Sequence, residues 1–103
     1  MYKILLTSSD DCSVLKSIAK ECILIKKISP CAHIINNVNS FYIWDDRFFD
    51  GDEEHLLAIK CKKENILEIE KVIDKEHNYD TPEITSVNLD IISEKYKKWF
   101  DIK

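Results

Sequence analysis

An α+β sandwich with strands and helices in the order βαββαβ, a long hairpin in its middle and a short helix at its end, is the fold the sequence predicts. Two segments repeat apolar residues at helical spacing, Leu15 to Ile25 and Ile66 to Ile73, and β-branched or aromatic runs lie before, between and after them. One glycine and two prolines in 103 residues leave little material for linkers, and no internal repeat is present. The chain, 1–103, is therefore read as a single domain with one core.

The elements follow in order. Tyr2 to Thr7 is a short apolar run that ends in Ser8-Ser9-Asp10-Asp11, the pattern of a buried strand feeding a helix cap, with Asp10 or Asp11 as the capping residue. Leu15, Ile18, Ala19, Cys22 and Ile25 mark one face of a helix over about residues 11 to 27, which Pro30 ends. Cys31 to Trp44 reads as a long strand with a bulge or kink at Asn36-Asn37. Leu56 to Cys61 is the core of the next strand; the turn between them lies at Asp50-Gly51 by the local hairpin rule, or at Asp45-Asp46 if the two arms are to be equal.

Ile66, Ile69, Val72 and Ile73 give a second helix of about 13 residues, ending near His77-Asn78 ahead of Pro82. Ile84 to Leu89 alternates as an edge or half-exposed strand, and Ile91 to Phe100 forms the short terminal helix. The two crossovers place both helices on one face of a four-stranded antiparallel sheet, a ferredoxin-like topology. That topology hosts many unrelated functions and by itself names none.

Composition narrows the classes. A hydrophobic share of 45% against 33% charged residues supports a packed core rather than disorder. The formal charge of -4 disfavours general attraction to nucleic acid or to anionic membrane. The longest apolar runs fall far short of the roughly 20 residues that span a bilayer, and the N-terminal segment reaches Asp10-Asp11 without the apolar core and small-residue cleavage site of a signal peptide. Cys12, Cys22, Cys31 and Cys61 show no CxxC spacing and sit within ordinary helix and strand patterns, so they read as reduced thiols of a cytosolic protein.

The segment Cys31-Ala32-His33-Ile34-Ile35-Asn36-Asn37-Val38-Asn39-Ser40-Phe41-Tyr42-Ile43-Trp44, followed by Arg47, Glu54 and Ile59-Lys60, resembles the long hairpin of the CutA family. His77-Asn78-Tyr79-Asp80-Thr81-Pro82-Glu83-Ile84 is similar to that family's loop of His, Pro, Tyr, two variable residues and Pro-Glu-Ile. With Tyr96, Lys98 and Trp99 near the end, the resemblance extends over nearly the whole chain. Asn37 stands where the family usually has Gly, Asn78 where it has Pro, and Cys61 where it has Thr. The resemblance implies a homotrimer associated with tolerance of divalent metal ions, copper among them, and a hairpin turn near Asp45-Asp46 with Asp50-Gly51 as a bulge. Phe41, Tyr42, Trp44, Phe48 and Phe49 on one hairpin are easier to bury between three subunits than in one.

Metal binding is the first chemical reading, since thiolate and imidazole suit copper and zinc. Cys31 and His33, two apart on a strand, project to one face but supply only two ligands. The resemblance makes Cys31 and His77 the positions to associate with copper or another divalent ion, ahead of His33 and His55. The second reading is a small-molecule or anion cleft between subunits, in the manner of PII-like signalling trimers, built from Trp44, Arg47, Lys60, Tyr79 and Glu83. A scaffolding trimer that anchors another protein is a third. No nucleophile elbow, HExxH or phosphate-binding glycine loop is present, and the expectation is a protein that is not an enzyme and needs no cofactor to fold.

Overall fold

The computed structural model describes residues 1–102. It contains β1 (Tyr2–Ser9), α1 (Cys12–Lys20), β2 (Cys31–Trp44), β3 (Arg47–Lys62), α2 (Ile66–Glu76), β4 (Thr85–Leu89) and α3 (Glu94–Ile102). The strands form one sheet in the order β2-β3-β1-β4, with every neighbouring pair antiparallel. Each helical crossover skips one strand: β3 fills the gap between β1 and β2, and β1 fills the gap between β3 and β4. This is the ferredoxin-like order predicted.

Strand alternation decides which side chains meet the helices. On β1 and β3 the odd positions Leu5, Thr7, Ser9, Leu57, Ile59 and Cys61 are buried. Leu15, Ile18 and Cys22 from the first helix, and Ile69, Val72 and Ile73 from the second, close over them. Thr7 Oγ1 has no hydrogen-bond partner among the described residues. Asp11 caps α1, accepting the Ser13 N–H at 3.0 Å.

After Lys20 the helix widens into a π turn, Glu21–Ile25. Cys22 still reaches the core, but the change of phase leaves Leu24 and Ile25 exposed, so Ile25 does not share the apolar face on which its spacing put it. At the other end of the chain α3 starts at Glu94, later than the apolar pattern suggested, because Ser93 Oγ accepts the Tyr96 N–H and caps the first turn. Phe100 is buried against the edge of the Tyr2 ring, at 5.3 Å between centroids, so α3 covers one end of the sheet face that α1 and α2 leave bare.

Strand β1 ends at Ser9, opposite His55. Beyond that point β2 and β3 pair only with each other and project as a two-stranded arm, which stretches the molecule to 46 Å. The arm turns at Asp45 (φ 50°) and Asp46 (φ 60°), the paired left-handed conformations of a tight hairpin turn. Asp50-Gly51 is therefore not the turn. Ser40 pairs with Asp52 and Phe41 with Asp50, leaving Gly51 (φ 82°) as the extra residue of a bulge, with the Phe41 ring 3.5 Å from where a Cβ would stand.

A second bulge lies at Asn36-Asn37, both opposite His55, with Asn37 at φ 61°. It changes the alternation of β2. Before it Cys31, His33 and Ile35 pair with Lys60, Ala58 and Leu56 on the face away from α1 and α2; after it the even residues Val38 and Ser40, paired with Glu54 and Asp52, take that face. Tyr42 continues the new alternation, since its hydroxyl bonds Asp52 at 2.8 Å and its ring stacks on Phe49 at 4.7 Å.

Candidate functional site

Two groupings stand on the face that α1 and α2 do not cover. The first lies on edge strand β2, where Cys31 Sγ is 3.7 Å from His33 Nε2. Strand spacing puts the two side chains side by side, and the Ser29 hydroxyl fixes the start of the strand by donating to the Lys60 carbonyl at 2.7 Å. Cys31 is half-buried and His33 exposed. A tetrahedral ion with sulfur at about 2.3 Å and nitrogen at about 2.0 Å holds its donors about 3.5 Å apart, close to the separation found here. Among the described residues no group of three or more His, Cys, Asp or Glu is placed to hold a metal, so this pair supplies two ligands and no more.

His77 is elsewhere. It ends α2, donates from its ring Nε2 to the Ser8 carbonyl at 2.9 Å and accepts the Tyr79 N–H on Nδ1 at 3.0 Å. Both nitrogens are thus occupied and the neutral ring is fixed in one tautomer. Ser8 pairs with Leu56 whereas Cys31 pairs with Lys60, so the fold does not bring Cys31 and His77 together. A metal at His77 has to displace one of these two bonds.

Two of the remaining cysteines lie in the core, away from this face. Cys22 and Cys61 are fully buried, and desolvation pushes their thiols up to about 12 and about 11 respectively.

The second grouping is a cavity of about 840 Å³ at the root of the arm. Phe41, Tyr42, Trp44 and Phe49 of the arm form one wall, and the segment Tyr79 to Glu83 forms the other. Three strap contacts hold that segment in place: the His77 ring on Ser8, Asn78 bridging Ser9 and Asp10, and the Tyr79 hydroxyl, which accepts the Asp10 N–H at 2.8 Å. Tyr79 also donates to Glu54 Oε2 at 2.6 Å, and Glu54 is 8% exposed. Desolvation, then the bond to Glu54, raises the Tyr79 phenol above its ordinary range, so it stays a donor.

Of the five cleft residues predicted, Trp44, Tyr79 and Glu83 line this cavity. Arg47 lies beside it, its guanidinium 5.1 Å from the centre of the Phe49 ring. Lys60 is at the far end of the sheet, donating to the Tyr96 hydroxyl at 3.2 Å over that ring. Glu54 is the member that the prediction left out of the site. Its sequence signals are its place in the hairpin that resembles the family's and a carboxylate ahead of the strand core Leu56 to Cys61.

A family model described as CutA1 divalent ion tolerance protein matches residues 3–103. The chain belongs to the CutA1 family. Among curated proteins, the chloroplastic CutA of Arabidopsis thaliana is 29% identical over 77 residues, covering 75% of this chain and 42% of the relative. The divalent-cation tolerance protein CutA of Pyrococcus horikoshii is 28% identical over 86 residues, covering 84% of this chain and 78% of the relative. The chain thus spans less than half the length of the Arabidopsis relative.

Solved structures agree in fold. The divalent cation tolerance protein of Thermus thermophilus superposes with a TM-score of 0.87 at 23% identity, over 97% of this chain and 95% of that one. The CutA of Archaeoglobus fulgidus gives 0.88 at 22% identity, over 99% and 97%. Among the described residues no helix is long and apolar enough to cross a membrane.

Proposed function

We propose that this chain is the subunit of a homotrimer that takes part in tolerance of divalent metal ions by holding a copper or zinc ion through Cys31 and His33. The observation that carries the reading is the 3.7 Å separation of Cys31 Sγ and His33 Nε2 on an accessible sheet edge. Two soft or borderline donors at the span of one ion make half a site, and a second copy or water completes it. Association is favoured by what the fold leaves bare: Ile35 (53% exposed) and Val87 (48%) on the sheet, and Phe41, Ile43 and Phe48 on the arm. Four free cysteines support a reducing compartment and, with it, a cytosolic location. His77 acts as a strut of the loop in this reading, and Cys31 remains the leading ligand.

Native mass spectrometry of reduced protein, metal-free and then with stoichiometric copper or zinc, tests assembly and uptake together. A trimer holding a fixed number of ions, lost in Cys31→Ser and His33→Ala but kept in His77→Ala, is the expected result. Loss in His77→Ala with retention in His33→Ala moves the site to the loop. A trimer without specific uptake removes the metal from the reading and keeps the assembly.

A further inference from the structure

The helix layer carries a patch that neither the metal reading nor the proposed association uses. At the π turn Glu21–Ile25 the change of phase leaves Leu24 58% and Ile25 60% exposed, and Lys20, Lys26 and Lys27 beside them are exposed as well. The Ile28 N–H donates to the Cys22 carbonyl at 2.9 Å and Lys27 takes the left-handed conformation (φ 55°) that ends a helix, so the turn is fixed. Glycine fits that conformation with less strain, so a lysine there costs stability and adds a charge. The stretch Lys16 to Lys27 holds four lysines against one glutamate, although the chain as a whole is at -4. The acidic excess is elsewhere: Asp45 to Glu54 on the arm holds six carboxylates against Arg47. From Lys27 the chain enters β2 at Cys31, the end of the hairpin away from its turn, so the basic helix end and the acidic arm stand toward opposite ends of a molecule 46 Å long.

From this arrangement we propose that the end of the first helix, Lys20 to Lys27, docks on an anionic lipid surface, with Leu24 and Ile25 entering the headgroup boundary and the lysines held among acidic headgroups. Charge complementarity selects the occupant, since exposed aliphatic side chains flanked by lysines bind such a surface by partial insertion together with electrostatic attraction. A stable protein partner needs roughly 20–30 residues a side, more than this helix end offers, whereas a lipid surface demands no match of shape. The charge of the whole chain does not oppose the contact, because at physiological salt charges more than about 8 Å away are screened and the acidic arm is at the other end. The association proposed above covers the sheet face and the arm, not the outer side of the helix layer, and so leaves the patch open. Neither Cys31 nor His33 takes part, so the two readings fail separately.

The test floats the full chain, reduced and freed of metal with chelator, with vesicles of phosphatidylcholine alone or with about three-tenths phosphatidylserine, at about 0.15 M salt. Binding to the anionic vesicles at least about tenfold above the neutral ones is expected. Lys20→Glu with Lys26→Glu, and separately Leu24→Ser with Ile25→Ser, should each weaken it about tenfold or more. Lys71→Glu with Lys75→Glu makes the same change of net charge at exposed positions on α2 and should leave binding within about twofold. Lys27→Gly guards against loss of the fold: it relieves the left-handed strain, so it should melt no lower than the parent while binding about fivefold more weakly. Cys31→Ser should leave binding unchanged. Absent binding, equal binding to both vesicles, an equal loss in the Lys71 and Lys75 pair, or binding indifferent to the Leu24 and Ile25 pair overturns the proposal. Absent binding includes the case in which a protein covers this helix end.

Discussion

The Tyr79 hydroxyl donates to Glu54 Oε2 at 2.6 Å, tying the loop after α2 to the root of the projecting arm across 25 positions of sequence. A two-stranded ribbon is marginal alone, and this contact gives its base a third support. It also gives Glu54 its one hydrogen bond from a side chain among the described residues. Loop, arm and cavity are therefore one structural unit.

Replacing Tyr79 with Phe removes that donor and leaves the Glu54 carboxylate buried without it. The cost is about 1–3 kcal/mol in urea unfolding. Glu54→Gln in the same background restores most of the loss if the desolvated charge is its source. Titration of tyrosine absorbance adds an independent reading. The folded phenol is raised, so its contribution to stability is complete below the ordinary tyrosine value and is lost as pH rises through the folded one. The last-ionising phenol of the native protein should disappear in Tyr79→Phe.

The four thiols should separate in labelling. Cys12 and Cys31 are half-buried, whereas Cys22 and Cys61 are buried and their thiols are pushed to about 12 and about 11. Since the thiolate is the reacting species, a small disulfide reagent at about pH 8 should modify two cysteines quickly and two only at the rate of unfolding. Four equal rates would contradict the packing of the helix layer.

At the tip of the arm Asp46 holds φ 60°, a conformation that costs a residue with a Cβ more than it costs glycine. Asp46→Gly should raise stability by up to about 1 kcal/mol, because the strain relieved at this φ exceeds the added freedom of the unfolded chain. Asp46→Val should lower stability, since a β-branched side chain fits this region poorly. Thermal unfolding of the two variants in parallel tests the turn without touching the cavity.

Asp11 links stability to acid. The Ser13 side chain, then the Ser13 N–H, holds its carboxyl below the usual aspartate range. A lowered folded value means that the contribution is present above the unfolded value and is lost as pH falls through the folded one. The melting temperature of Asp11→Ala should therefore lie below that of the parent near neutrality, and the two should converge below about pH 4.

What was legible in the sequence was local periodicity and local chemistry. Helical spacing in Leu15 to Cys22 and Ile66 to Ile73 located the helix layer, and β-branched runs located the strands, because burial of one face imposes a repeat that side-chain type records. Similarity to the family's hairpin placed the turn at Asp45-Asp46, where the bare dipeptide rule favoured Asp50-Gly51. The proximity of Cys31 to His33 also followed from strand alternation alone.

Tertiary structure decided the rest. The pairing of Asn36 and Asn37 against His55 shifts the alternation of β2, and that shift, invisible in any short window, turns Tyr42 toward the same face as Cys31. Only the return of the chain after α2 brings Tyr79 to Glu54, occupies both nitrogens of His77, and leaves Lys60 at the far end with Tyr96. The physical reason is one of range. Periodicity reports which side of its own element a residue faces, whereas a cavity depends on register and on which distant segment closes over it.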